Sequence, residues 1–133
     1  MSNKNKLPDL LTKEQLVKLF ENILIPKCSI ACFMALMCGL RIREICNLQI
    51  GDIDLQRRQI KIRDSKNPNR TKQGYGKDRI VPIPEIAISP IKKWLDIIDG
   101  GKYFIPSEKS PDNPLRVKTL HIWFSEARHR AGL

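Results

Sequence analysis

An uncharged run in the first third of the chain sets the strongest limit on the fold. Residues Cys28 to Leu40 carry no charge, and the part from Cys28 to Cys38 is apolar on nearly every side of a helix. Pro26 can begin such a helix and Gly39 can end it. The run is well short of the ~20 apolar residues that a membrane-spanning helix needs. It therefore predicts a helix that is packed on several sides at the centre of a core.

Helices are predicted on both sides of this run. Thr12 and Gln15 have the spacing of a capping box, and the apolar residues after them predict a first helix from about Thr12 to Ile25. A short third helix should follow Gly39 and close at Gly51. Two later helices are expected, one from Glu85 to the Gly100-Gly101 pair and one from about Arg116.

A small sheet is predicted between these helices. Apolar and polar residues alternate at Ile53 and Leu55 and again at Ile60 and Ile62, as they do in half-buried strands. The range from Asp64 to Asp78 has no apolar period and predicts a loop before a further strand at residues 80–83. The expected fold class is α+β and mainly helical, with helices packed around a small antiparallel sheet that contains a basic β-hairpin.

The length of the chain limits the number of domains, and its net charge favours certain classes of partner. A chain of 133 residues is enough for one domain, which we place at residues 11–133 after a polar lead at residues 1–10. The formal net charge of +10 favours a polyanionic partner, with nucleic acid first and an anionic membrane surface second. The four cysteines lack metal-binding or redox spacing and are interpreted as reduced core residues.

The positive charge is concentrated in the predicted hairpin. Nine basic residues lie between positions 57 and 79 against two acidic ones: Arg57, Arg58, Lys61, Arg63, Lys66, Arg70, Lys72, Lys77 and Arg79. This density favours contact with phosphates over a merely solvated loop. Tyr75 is the single aromatic residue of the loop, so a duplex backbone fits better than stacked single-stranded bases. Candidate DNA-binding residues are Arg43, Arg70, Lys72, Lys77 and Arg79.

Arg41 has a different character because it lies at the predicted start of the third helix. Free backbone N–H groups and a guanidinium together can form a phosphate pocket there. Glu44, three residues later on the same face, could hold that guanidinium in place. The alternative is an ordinary ion pair within the helix.

Two segments resemble the tyrosine recombinases, or phage-type integrases. The segment from Gly39 to Leu48, followed by Gly51-Asp52-Ile53-Asp54, is similar to their first catalytic box. The segment from Lys77 to Ile83 is similar to the end of the family's hairpin that carries a catalytic lysine. Lys66 lies where that lysine is expected, and Lys72 or Lys77 is the alternative.

The resemblance implies a reaction and a role for each matched residue. In this family a tyrosine attacks a DNA phosphate, arginines stabilise charge on the non-bridging oxygens, and a lysine protonates the leaving 5′ oxygen. Arg41 would then be the phosphate clamp and Lys66 the general acid. The resemblance also implies double-stranded DNA as partner, a homo-oligomer on DNA at full length, and no metal or other cofactor. Met1 to Lys6 is polar and basic, and Leu7 to Leu11 is too short for a signal h-region, so a cytoplasmic location is expected.

The resemblance extends from about Leu11 to Leu133, which corresponds to the first half of a catalytic domain. The family's His-x-x-Arg box, a further His or Trp and the nucleophilic tyrosine are expected beyond Leu133. Neither Tyr75 nor Tyr103 matches the place of the nucleophile. We therefore predict a recombinase fragment that contacts DNA without cleaving it alone, and a non-catalytic DNA-binding regulator or remnant is the alternative.

Overall fold

The computed structural model describes residues 11–63 and 78–133, where five α-helices and a three-stranded sheet contribute residues to one hydrophobic core. In chain order the elements are α1 (Lys13–Glu21), α2 (Pro26–Cys38), α3 (Ile42–Asn47), a 3-10 turn (Ile50–Asp52), β1 (Ile53–Asp54), β2 (Gln59–Ile62), β3 (Arg79–Pro82), α4 (Glu85–Ile98) and α5 (Val117–Arg130). The expected mainly helical α+β class is confirmed. The candidate Lys66, Arg70, Lys72 and Lys77 lie outside the described residues.

Helix α2 occupies the centre of the core, as its all-round apolar sequence predicts. It contacts α3, α4 and α5, and Met34 and Cys28 on it are fully buried. Gly39 ends the helix with a φ of +70°, a left-handed conformation that a glycine adopts without a steric penalty. Neither α2 nor another helix within the described ranges has both the length and the apolar character of a membrane span.

The four cysteines are free thiols, and all of them are buried. Burial raises the pKa of Cys46 to about 11 and also raises the pKa of Cys38, because a thiolate is poorly solvated in an apolar interior. These thiols therefore stay protonated near neutral pH. The interpretation of the cysteines as core residues is confirmed.

Two helix ends differ from the expected positions. Helix α1 ends at Glu21, four residues before the expected Ile25, and Ile25 itself is extended. A proline disfavours helical backbone at the residue before it, so Pro26 excludes Ile25 from a helix. Helix α3 ends at Asn47, and Gly51 belongs to the separate 3-10 turn instead of closing α3.

The sheet places one end of its ladder beside α3. Its strand order is β1-β2-β3 with antiparallel pairs, and Ile60 pairs with Val81 while Ile62 pairs with Arg79. Ile60 and Ile62 are buried, as the alternating pattern predicts. Strand β1 has two residues only, so the expected strand through Leu55 is shorter than its pattern indicates.

The segment after α4 joins that helix to the end of α3. The indole Nε1 of Trp94 donates a 2.7 Å hydrogen bond to the carbonyl of Phe104, and the two rings meet edge to face. The backbone N–H of Phe104 donates to the carbonyl of Leu48, which directly follows α3. Helices predicted to begin at Glu85 and near Arg116 are confirmed as α4 and α5.

Candidate nucleic-acid interface

Arg41 is presented at the start of α3 by a tight join. Leu40 is buried, while Arg41 is extended and exposed at the N-cap position. The carbonyl of Arg41 accepts the N–H of Ile45 at 2.9 Å, which fixes its backbone in the first turn. Within residues 11–63 and 78–133 the Arg41 guanidinium forms no hydrogen bond or ion pair. With respect to that part of the chain its donors are open to a ligand, and a guanidinium matches the geometry of a phosphate.

Glu44 has another partner than the expected one. Its Oε2 accepts from Nη1 of Arg79 at 2.7 Å, and its Oε1 accepts from Nη2 of Arg79 at 3.1 Å. The same Oε1 accepts the backbone N–H of Arg41 at 3.0 Å. The expectation that Glu44 holds the Arg41 guanidinium is therefore wrong. A carboxylate at the third helical position turns back to the N-cap backbone, and its outer lone pairs here face β3.

This arrangement also changes the expected anion pocket at the helix start. The N–H of Arg41 is already bound by a carboxylate, so it is not among the donors left for a phosphate. The Arg41 side chain remains as the open group, and Arg43 on α3 is exposed beside it. This place therefore offers an anion guanidinium groups instead of the Arg41 N–H.

The pairing with Arg79 affects the titration of Glu44. Burial alone raises the pKa of Glu44, but the hydrogen bonds from Arg79 and from the Arg41 backbone, with the charges of both arginines, outweigh it. The net result holds the pKa of Glu44 below its ordinary value of 4.5. Glu44 is therefore ionised at neutral pH and keeps its ion pair.

A lowered pKa in the folded state predicts a defined pH dependence of stability. Ionised Glu44 contributes to the free energy of unfolding above pH 4.5, and this contribution is lost as the pH falls through the lower folded value. Chemical denaturation of the wild type and Glu44→Gln at several pH values measures it. We expect their stability difference to be constant above about pH 6 and to shrink below pH 4.5. A difference that does not change with pH contradicts the pairing, and an Arg79→Gln background should weaken the dependence.

A second ion pair, between Asp52 and Arg63, was not anticipated from the sequence. Oδ1 of Asp52 accepts a hydrogen bond from Nε of Arg63 at 2.9 Å and lies 2.8 Å from Nη2 of the same guanidinium, and Oδ2 accepts the N–H of Gln49 at 3.1 Å. Only 2% of the Asp52 side chain is exposed. The hydrogen bond that Arg63 donates to Asp52, together with the negative charge of Asp52, raises the pKa of Arg63 further, so its guanidinium stays charged.

A sequence signal for this pair existed but is weak. Asp52 lies between apolar residues of the 3-10 turn and β1, where a charge needs a buried partner. Asp52 and Asp54 are only two positions apart, yet they have different partners. Asp54 forms a turn, because its Oδ1 accepts the N–H of Arg57 at 3.0 Å. Asp52 instead binds β2, which local sequence cannot indicate.

Two of the candidate DNA-binding residues lie in the part of the chain that the structure describes. Arg43 and Arg79 are described, on α3 and at the start of β3, and Arg79 is joined to the Arg41 turn through Glu44. Tyr103 is half-buried and its backbone pairs with Gln49. Among the described residues, no group of three His, Cys, Asp or Glu side chains is arranged to hold a metal ion.

Sequence comparison identifies a family and known proteins that are similar to this chain. A sequence profile of the phage integrase family matches residues 9–133. The tyrosine recombinase XerA of Pyrococcus furiosus is 32% identical over 133 residues, which cover 96% of this chain and 43% of that protein. A tyrosine recombinase of Thermosipho africanus is 29% identical, covering 98% of this chain and 43% of the relative. The chain thus spans less than half the length of these relatives.

Structure comparison finds the same fold in solved proteins. A crystal structure of XerA recombinase matches with a TM-score of 0.73 and 23% identity, covering 96% of this chain and 45% of that one. A lambda integrase dimer bound to a COC′ core site matches with a TM-score of 0.72 and 21% identity, covering 100% and 46% of the two chains. At these identities the likeness establishes the fold.

Proposed function

This chain belongs to the phage integrase family, and on that premise we propose that it forms the part of a tyrosine recombinase catalytic domain that holds a DNA phosphate with Arg41. One observation carries the proposal. The Arg41 guanidinium is exposed in a fixed turn, and within the described residues no carboxylate neutralises it, whereas Arg79 nearby is held by Glu44. A charged and positioned guanidinium that no described carboxylate binds suits an anionic ligand.

The type of chemistry follows from the residue types. A guanidinium remains charged at any physiological pH and can donate two parallel hydrogen bonds to phosphate oxygens, so Arg41 would stabilise charge at the reacting phosphorus. An ammonium can release its proton, so a lysine suits protonation of the leaving 5′ oxygen. We propose Lys66 for that role, with Lys72 or Lys77 as the alternative, on sequence grounds alone.

The wider activity is proposed for the full-length protein, of which this chain resembles one part. Its reaction would be strand breaking and rejoining of double-stranded DNA through a phosphotyrosine intermediate. The lambda integrase structures of similar fold include a dimer on a core site and a tetramer on a Holliday junction. We propose a homo-oligomer on DNA here as well, working in the cytoplasm and without a metal or other cofactor.

The charge distribution favours the duplex backbone as the first contact. The chain carries a formal net charge of +10, and its basic residues are dense between β2 and β3 in the sequence. Each phosphate neutralised by a lysine or arginine releases condensed counterions, which makes affinity strongly salt-dependent. The proposed DNA-binding residues Arg43, Arg70, Lys72, Lys77 and Arg79 would contribute in this way.

Binding of a short fluorescent duplex at several salt concentrations tests the proposal. We expect weak binding with a slope of log K against log salt steeper than about −3, since each neutralised phosphate adds about −0.9. A duplex of unrelated sequence should bind with a similar slope, because phosphate contacts are independent of sequence. Absence of binding at low salt, or binding that salt does not weaken, would refute the proposal.

A further inference from the structure

Two ion pairs join the segment that begins at Arg41 to the same end of the sheet. Glu44 in α3 binds Arg79 at the start of β3, and Asp52 in the 3-10 turn binds Arg63 just after β2. We infer that these four residues, which we call the carboxylate clamp, position Arg41 relative to strands β2 and β3 for phosphate binding. This inference rests on the proposed function and deepens it.

The register of the sheet brings the two arginines of the clamp to one end. Ile62 of β2 pairs with Arg79 of β3, and Arg63 follows Ile62 directly. Each arginine therefore lies at the end of the ladder where the chain leaves β2 and returns to β3. Each is bound by a carboxylate from the stretch between Arg41 and β1, so both strands are tied to one segment.

The two pairs differ from the other ion pairs of the described residues in the burial of the carboxylate and in geometry. The side chains of Glu44 and Asp52 are 19% and 2% exposed, and two guanidinium nitrogens of each arginine lie within 3.1 Å of the carboxylate. In contrast, Arg58 and Glu85 are 3.9 Å apart and more than half exposed. Exposed pairs of that kind add little, whereas paired donors on a shielded carboxylate fix an orientation.

The clamp gives Arg63 and Arg79 a role in addition to the positive charge that they contribute. Both carboxylate oxygens of Glu44 accept hydrogen bonds from the Arg79 guanidinium, and Oε1 also accepts the backbone N–H of Arg41. A movement of β3 is therefore transmitted to the Arg41 turn. Asp52 does the same for β2 through Arg63 and Gln49. Arg63 and Arg79 are thus positioning residues, and Arg79 acts through Glu44.

The variant Glu44→Gln separates this role from simple electrostatics by the sign of its effect. It removes one negative charge close to Arg41, so general attraction alone predicts tighter binding of DNA. The clamp predicts the reverse, about fivefold weaker binding, because the phosphate-binding surface loses its fixed geometry. Asp52→Asn should act in the same direction. Fluorescence anisotropy with a duplex in low salt measures both, and Asp96→Asn, an exposed site on α4, is the matched control.

Two further variants keep the test decisive if an amide variant fails to fold. Arg79→Lys and Arg63→Lys retain the charge but lose the contact through two guanidinium nitrogens, and each should weaken binding as well. In an Arg79→Ala background, Glu44→Gln should have a smaller additional effect than in the wild type, since Glu44 then keeps only the Arg41 N–H as partner. Binding by Glu44→Gln that equals or exceeds the wild type would overturn the inference, as would lysine variants that bind normally.

Hydrogen exchange on the free chain keeps the inference separate from the proposed function. Peptides that cover β2 and β3 should exchange faster in Glu44→Gln and Asp52→Asn than in the wild type, and Asp96→Asn should leave them unchanged. If the wild type fails to bind DNA, the proposed function fails while this exchange result still decides whether the clamp holds the strands. Unchanged exchange in both amide variants would overturn the clamp.

Discussion

Replacing Arg41 by alanine should lower the affinity for duplex DNA about tenfold, equivalent to about 1.4 kcal/mol. The salt slope should become less steep by about one unit, because one phosphate contact is lost. The melting temperature should change by less than about 2 °C, since the Arg41 side chain is exposed and forms no capping hydrogen bond with the helix. Anisotropy titrations and thermal denaturation of the same preparations measure the three quantities.

Matched substitutions show whether the loss belongs to Arg41 or to charge in general. Lys92→Ala removes one positive charge from an exposed position on α4 and should weaken binding less than twofold. Arg41→Lys keeps the charge without the planar fork and should recover only part of the affinity. Equal losses for Arg41→Ala and Lys92→Ala would contradict a specific phosphate contact, and unfolding of Arg41→Ala would make Arg41 structural.

The largest effect on stability is expected at Phe104. Its side chain is fully buried, its ring meets that of Trp94, and its carbonyl accepts the Trp94 indole N–H. Truncation to alanine leaves a cavity, for which the usual cost is about 3–5 kcal/mol. At about 4 °C for each kcal/mol in a domain of this size, the melting temperature should fall by about 15 °C.

The control for Phe104→Ala is the truncation of an exposed side chain on α4. Ile97 lies on α4 with 69% of its area exposed, so Ile97→Ala should change the free energy of unfolding by less than about 0.5 kcal/mol. Urea denaturation of both variants gives the free energies directly. A loss below about 1 kcal/mol for Phe104→Ala would show that Phe104 does not join α4 to the end of α3 as the structure describes.

Local sequence determined much of the fold and the position of Arg41. The uncharged run before Gly39 specifies α2, and a glycine followed by a buried leucine specifies the join that presents Arg41. The alternation at Ile60 and Ile62 specifies β2 and its buried face. These features depend on neighbours within a few residues, for which periodicity and capping rules are informative.

The contacts that organise the candidate site depend on distant residues. Glu44 and Arg79 are 35 positions apart in the sequence, and nothing local distinguishes Arg79 from the other basic residues near it. Proximity in the sequence therefore favours Arg41, and not Arg79, as the partner of Glu44. Asp52 and Arg63 meet only because the chain folds back through β1 and β2. The place of Lys66 remains a prediction from sequence, since it lies outside the described residues.

A titration of the isotopically labelled chain with duplex DNA, followed by amide NMR, tests the central claim most directly. The account predicts the largest shift changes in the first turn of α3, from Arg41 to Glu44, and in the strands tied to it by the clamp. Leu24 and Ile97, which line an exposed apolar groove beside α1 and α4, should change little. Largest changes at that groove, with the Arg41 turn unaffected, would contradict the assignment of Arg41 as the phosphate-binding residue.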